Sequence, residues 1–257
     1  MSDTLAQSAA RAEALLRHKA ELDFAEAAQN VPGAAAQRFG TVLATRVSEL
    51  PDHLGYNKAR PFHAGDLGRL GEVLAFYRDH GLRPAVEVAA GDAGPDLHRR
   101  LIDAGLVPAA PTAVLHARPR RLPAPAGVEV REAREDDPYL ETLYRGYVVA
   151  EGETAFRAML AAEHRTPGLR RYLAFIDDCP AAAAASFTHG GTAYLAGAAT
   201  DPAFRRRGCQ TALVARRLAD LGPECDLAVV TVAFGSPSHE NLARLGFQIT
   251  HTRTVWR

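Results

Sequence analysis

From Leu5 onward apolar residues return every three or four positions (Leu5, Ala9, Ala12, Leu15, Leu16, Ala20, Leu22, Phe24), the period of one face of an α-helix. The spacing predicts a helix over 4–29, broken near Asp23 and ended by Val31-Pro32-Gly33. Residues 41–47 read as a strand. A helix follows over 64–81, with Leu67, Leu70, Val73, Leu74 and Tyr77 on its inner face. Then come a short apolar strand at 85–90, a Gly/Pro loop, a helix at 95–104 and a strand at 112–117.

The stretch Pro119-Arg-Arg-Leu-Pro-Ala-Pro-Ala-Gly127 interrupts this alternation. Its prolines favour extended backbone and are rejected by helices and sheet ladders alike, which makes it the clearest boundary in the chain. Arg118, Arg120 and Arg121 make it either a basic patch or a solvated linker. Beyond it strands are expected at 128–132, 173–176, 181–187, 192–200, 227–233 and 248–255, and helices at 136–149, 154–163, 208–221 and 238–245. A strand as apolar as Leu227-Ala-Val-Val-Thr-Val-Ala233 suits burial on both faces. This element order implies an α/β (α+β) fold, a mixed sheet with helices on both faces.

The halves repeat at an offset of 141 residues, which carries Gly94 onto Gly235, His98 onto His239, Leu101 onto Leu242, Gly105 onto Gly246 and Leu106 onto Phe247. Each copy reads strand, glycine loop, short helix, glycine stop, strand. A glycine just past a helix fits the left-handed position that side chains disfavour. Duplication into two related lobes, one of them carrying the chemistry, is the reading this favours over a chance match.

Composition narrows the function. With 257 residues, 47% of them apolar, the chain can bury a substantial core, as one large domain or two modest ones. Thirty Lys and Arg balance thirty Asp and Glu, without the basic excess of a nucleic-acid binder. Three scattered cysteines, Cys179, Cys209 and Cys225, make neither a disulfide framework nor a zinc spacing, so no metal is expected. Asp3, Arg11, Glu13 and Arg17 interrupt any signal-peptide core, and no uncharged apolar run reaches the ~20 residues of a membrane span. A cytoplasmic protein without a membrane partner is expected.

Chemistry concentrates in Ala198-Ala-Thr-Asp-Pro-Ala-Phe-Arg205-Arg-Arg-Gly208-Cys-Gln-Thr-Ala-Leu213. A strand ends near Thr200, Pro202 stops its pairing, and an arginine-rich turn enters a helix. The first amides of a helix lack internal partners and, with the aligned dipole, form a socket for an anion such as a phosphate. Gly208 presents no side chain where a diphosphate would approach, and the arginines add permanent charge. A basic helix start with its arginines paired to acids is the other reading.

This segment resembles the acyl-coenzyme A loop of the GCN5-related N-acetyltransferase (GNAT) superfamily, Gln/Arg-x-x-Gly-x-Gly/Ala. Arg205 and Gly208 match its first two fixed positions; Gln210 departs at the third, where its backbone amide remains on offer. Gly235-Ser-Pro-Ser238-His-Glu-Asn241-Leu-Ala-Arg-Leu-Gly246-Phe247 resembles the family's late helix ending in Gly-Phe. The resemblance covers 128–257, the expected acyltransferase domain. It leaves 1–38 as a helical segment, 39–118 as a degenerate copy of the tandem type, and 119–127 as the linker. In that copy the offset places Ala64-Gly65-Asp66-Leu67-Gly68-Arg69 on the loop, with Asp66 where a phosphate would be repelled.

The resemblance implies a GNAT fold and transfer of an acetyl or other short acyl group from acetyl-CoA, a co-substrate, to an amine of a small-molecule acceptor, or, less readily, of a protein. It places the coenzyme on Ala198, Ala199, Thr200, Arg205, Arg206, Arg207, Gly208, Cys209, Gln210 and Thr211. Asn241 would either hydrogen-bond the pantetheine arm or make a local contact, and Ser238 would either join it or cap its own helix. A backbone amide near Ala198 to Thr200 is the expected donor to the reacting carbonyl. The tyrosine that many members place four residues before the Gly-Phe glycine is Leu242 here. Candidate bases are His251 on the last strand and Glu151 and Glu153 between the first two helices of the active lobe. Cys209 reads as a packing residue unless a base lies beside it. Two alternatives stand: a donor borne by an acyl carrier protein or carrying a longer acyl group, and a non-catalytic acyl-CoA-binding regulatory module. A monomer or a homodimer fits equally.

Overall fold

The computed structural model describes residues 3–257, without the side chains of Ala110 and Asp137. Helix α1 (Leu5–Asn30) starts at a capping box in which Thr4 and Gln7 satisfy each other's backbone amides. It buries Ala12, Leu15, Ala20, Phe24 and Ala27. The break expected near Asp23 does not occur, because Asp23 is ion-paired with Lys19 one turn earlier on the same buried face. Strands β1 (Ala34–Phe39) and β2 (Val42–Val47) form an antiparallel hairpin around Gly40, and β3 (Lys58–Arg60) pairs with β2. Neither β1 nor β3 was legible as a strand. The helix expected over 64–81 is a 3-10 turn at Ala64–Arg69 followed by α2 (Leu70–Arg78). Next come β4 (Val86–Ala89), α3 (Pro95–Asp103) and β5 (Pro108–Ala117).

The second half runs β6 (Glu129–Glu132), α4 (Asp136–Tyr147), α5 (Thr154–Arg165), β7 (Leu169–Ile176) and β8 (Cys179–His189). The single strand expected over 192–200 is two, β9 (Thr192–Tyr194) and β10 (Ala199–Thr200). Helix α6 (Cys209–Ala219), strand β11 (Leu227–Ala233), helix α7 (Pro237–Arg244) and strand β12 (Gln248–Trp256) complete the chain.

Two compact units result. The first holds residues up to Val114 together with 232–239 and 249–257; the second holds 115–231 and 240–248. In the first, the strand order is β1-β2-β3-β4-β12-β5, so the last strand of the chain lies antiparallel to β4, with Arg253 opposite Ala89 and Val255 opposite Glu87. Phe39, Phe62, Tyr77, Leu97, Leu101 and Trp256 are buried in its core, Trp256 stacking on His98. In the second unit the order is β11-β9-β8-β7-β6, with β10 on β8. Helices α4 and α5 cover one face, with Tyr139, Leu143 and Leu160 in one cluster with Leu173 of β7; α6 covers the other, with Cys209 and Leu213 in one cluster with Tyr172 and Ile176 of β7. Each large apolar side chain so enclosed contributes about 1.5–3 kcal/mol to the folded state.

At the 141-residue offset α2 falls within α6, β4 on the first residues of β11, and α3 on α7. Both short helices end alike. Gly105 (φ +83°) and Gly246 (φ +89°) take the left-handed turn, and the amides of Leu106 and Phe247 donate back to Leu101 and Leu242, each at 3.0 Å.

Candidate functional site

The second unit has an opened strand at its centre. β9 runs parallel to β11, Thr192 opposite Leu227 and Tyr194 opposite Val229, and the ladder ends with the Leu195 amide donating to the Val229 carbonyl at 2.8 Å. Gly197 then adopts φ +33°. The pairing with β8 moves from Tyr194–Phe187 to Ala199–Ala183, which inserts one extra residue, a bulge. Beyond it β10 pairs with β8 alone. Gly146 of α4 fixes this course: a Cβ there would stand 2.6 Å from the Ala199 Cβ and 2.8 Å from its carbonyl carbon, so helix and strand meet backbone to backbone.

The bulge leaves donors free and holds acceptors down. Among the described residues neither the Gly197 nor the Ala198 amide has an acceptor, and Ala198 is exposed. The carbonyls on the other side are tied by Arg217 of α6, only 2% exposed, whose Nη1 donates to Ala185 (3.0 Å) and Ala196 (3.3 Å) while Nε donates to Leu213 (3.0 Å). Burial pulls this guanidinium down to about 10, still protonated at neutral pH. His164 of α5, buried, lies against Gly197 and shares a 2.7 Å hydrogen bond between its Nδ1 and the Tyr139 hydroxyl. Burial pushes the Tyr139 phenol well above its ordinary value, so it stays protonated. Sequence reasoning passed over these three residues. Arg217 had a signal, a charge at helical spacing among Leu213, Val214 and Leu218; a lone histidine near a helix end had none.

Below β10, Asp201 caps the turn Pro202–Phe204 by accepting from the Ala203 amide at 3.0 Å and pairs with Arg145 at 2.8 Å. Arg206 (φ +64°) and Gly208 (φ +86°) then turn the chain into α6. None of the amides of residues 206–211 has an acceptor among the described residues. Such a run of unsatisfied donors at a helix start suits a diphosphate. The arginines divide. Arg205 folds back towards the carbonyls of Thr200 (3.4 Å) and Gly146 (3.5 Å); Arg207 pairs with Asp177 at 3.2 Å and lies over the Phe204 ring. Arg206, exposed, makes no ion pair or hydrogen bond among the described residues. A Cβ on Gly208 would stand 3.0 Å from Pro125, so the proline-rich segment covers that side of the turn, and Arg120 of the same segment donates to the Leu245 carbonyl at 3.0 Å. Cys209 is buried, which raises its thiol and leaves it a packing residue. The Gln210 side chain bonds Asn241, while the Thr211 amide, like its neighbours, has no acceptor among the described residues.

The other sequence candidates scatter. Ser238 does not cap α7: with Pro237 as first helical residue the cap is Ser236, whose Oγ accepts from the His239 amide at 3.2 Å. Glu153 accepts from the Ala150 amide at 2.7 Å and closes the α4–α5 loop, whereas Glu151 is exposed and without a partner among the described residues. His251 lies in the first unit, where its Nε2 bonds the Glu13 carboxylate at 2.5 Å beside Arg253. Leu242 is buried, as an apolar side chain in the tyrosine position would be.

The corresponding place in the first unit is shut. β3 pairs with β4 through the Ala59 amide on Ala85 (2.9 Å) and the Phe62 amide on Glu87 (3.0 Å), and Lys58 is ion-paired with Glu87. Asp66 spends its carboxylate on the His63 amide and the Thr41 hydroxyl, where the second unit offers free amides.

Among the described residues no helix is long and apolar enough to cross a membrane, and no three His, Cys, Asp or Glu side chains gather as a metal site. Residues 120–224 match the model of the acetyltransferase (GNAT) domain family. No curated protein sequence matches the chain. Among solved structures, a GCN5-related N-acetyltransferase from Kribbella flavida superposes with a TM-score of 0.65 at 17% identity, over 93% of either chain. A tandem GNAT protein from the clavulanic acid biosynthesis pathway superposes with a TM-score of 0.59 at 16% identity, over 91% of this chain and 86% of that one. At such identities the likeness is one of fold. The opened central strand and the amide-lined helix start both lie within residues 120–224, the part of the chain that is similar to the acetyltransferase (GNAT) domain family.

Proposed function

We propose that the second unit transfers an acetyl or other short acyl group from acetyl-CoA to the amine of a small-molecule acceptor. The observation that carries this reading is the pairing of two sets of unsatisfied amides, 197–198 at the bulge and 206–211 at the start of α6, in one unit. The donor supplies an activated thioester and a diphosphate. The amides of 206–211, with the Arg206 charge, hold the diphosphate; those of Gly197 and Ala198 face the charge that develops on the reacting carbonyl oxygen. Departure of a thiol of pKa ~8.5 needs no tyrosine, which accommodates Leu242. Of the three candidate bases, Glu151 is the one whose carboxylate has no partner among the described residues, and it is the side chain assigned to the incoming ammonium; Glu153 and His251 are held by Ala150 and Glu13. The first unit is read as a degenerate second copy without a coenzyme, since its strands are paired where the cleft would open.

The test is thiol release from acetyl-CoA across a panel of small amines. Amine-dependent release supports the assignment, and Glu151→Gln lowers it through KM for the acceptor. Acetyl-CoA binding with no release across a broad panel points instead to a regulatory acyl-CoA-binding module.

A further inference from the structure

Gln210 breaks the coenzyme signature at its third fixed position, and its side chain has a specific partner. Its Oε1 accepts from Asn241 Nδ2 at 2.7 Å, and Asn241 Oδ1 accepts in turn from Arg244. Gln210 belongs to the first turn of α6, the turn that presents the free amides; Asn241 belongs to α7. The Gln210–Asn241 pair therefore joins the two helices, and both side chains are half-buried. Alanine or glycine at 210 has no atom to make this bond, and asparagine is one methylene short of it.

We infer that Gln210 tunes donor affinity, as a latch that holds the Asn241 carboxamide away from an entering pantetheine arm. This rests on the coenzyme reading above. An arm that takes Asn241 exchanges one hydrogen bond for another, so Asn241 adds nothing net to binding while Gln210 is present. A donor without a diphosphate then has little left to hold it, whereas one bearing a diphosphate keeps the amides of α6. Without Gln210, Asn241 is available at no cost. The latch thus weakens every pantetheine-bearing ligand by one bond, about 2- to 12-fold for a net ~0.5–1.5 kcal/mol.

Calorimetric titration with acetyl-CoA and with S-acetyl-pantetheine tests this in the wild type, Gln210→Ala, Gln210→Asn, Asn241→Ala and the double variant Gln210→Ala/Asn241→Ala. Unligated unfolding midpoints identify any variant that has lost its fold. Both Gln210 variants are expected to bind acetyl-CoA about 2- to 12-fold more tightly than the wild type, and the gain vanishes in the Asn241→Ala background. Unchanged or weaker binding by both Gln210 variants overturns the latch and leaves the coenzyme assignment standing. So does a gain that persists without Asn241. If no variant binds acetyl-CoA at millimolar concentration, the coenzyme assignment falls and the latch with it.

Discussion

The Cε1–Nε2 edge of the His164 imidazole lies against Gly197: a Cβ built on that glycine would stand 2.4 Å from Cε1 and 2.5 Å from Nε2. The ring cannot retreat, because it is buried and bonded to the equally buried Tyr139 hydroxyl. The bulge that frees the Gly197 and Ala198 amides is thus set by a side chain from α5. Gly197→Ala is expected to cost about 1–3 kcal/mol in urea unfolding, from overpacking and from the positive φ, and to lower acyl transfer beyond what the lost stability explains. A variant of wild-type stability and activity would show that the ring does not hold the bulge.

The three arginines of the loop should not be equivalent. Arg205 is turned towards backbone carbonyls and Arg207 towards Asp177, which leaves Arg206 free to meet a phosphate. Arg206→Ala is predicted to weaken acetyl-CoA about tenfold, the loss of one charge-assisted hydrogen bond of ~1.5 kcal/mol, and to leave S-acetyl-pantetheine unchanged. Arg207→Ala should cost less. Equal losses at all three positions in calorimetry would mean a diffuse field rather than a specific contact.

Arg217 makes a stability prediction of its own. Arg217→Met leaves the buried Ala185 carbonyl without its donor, at about 1–3 kcal/mol, while the Ala196 carbonyl keeps the Ala185 amide at 3.1 Å. Urea unfolding should show a loss of about 1–3 kcal/mol, and Arg217→Lys, with fewer donors in a different geometry, should recover only part of it. A near-neutral Met variant would count against the bulge depending on this guanidinium.

In the first unit Glu87 sits between Lys58 and Arg253. Burial alone would raise its carboxyl, but the Lys58 and Arg253 charges more than reverse this and hold it at about 2, below the ordinary 4.5. A depressed folded-state value contributes stability that is complete above 4.5 and is lost as pH falls towards 2. Glu87→Gln should be the less stable protein at neutral pH by about 3 kcal/mol, since it leaves two buried cations short of a partner, and the two thermal midpoints should converge as pH falls. Parallel midpoint curves would contradict the assignment.

What the chain showed in advance followed from how each signal arises. The two alike helix ends were legible because Gly105 and Gly246 take the same left-handed turn, and the helix spacing before each is local. β1 was not, because Ala-Ala-Ala-Gln-Arg-Phe alternates weakly and is mostly solvent-facing, so only its pairing with β2 makes it a strand. The interruption at Gly197 had a sign in the sequence, a lone glycine within an apolar strand run, yet its ring partner lies 33 residues earlier, on α5. The loop before α6 was legible as a loop. Which arginine it leaves free was not, since that depends on Asp177 and Gly146 across the fold.

The central claim is that backbone amides at the start of α6 hold the diphosphate of the acyl donor. Side-by-side calorimetry of the wild-type protein with acetyl-CoA and with S-acetyl-pantetheine, which carries the same thioester and no diphosphate, tests it most directly. The account predicts acetyl-CoA at least about tenfold tighter, ~1.4 kcal/mol or more. Equal affinities would contradict it.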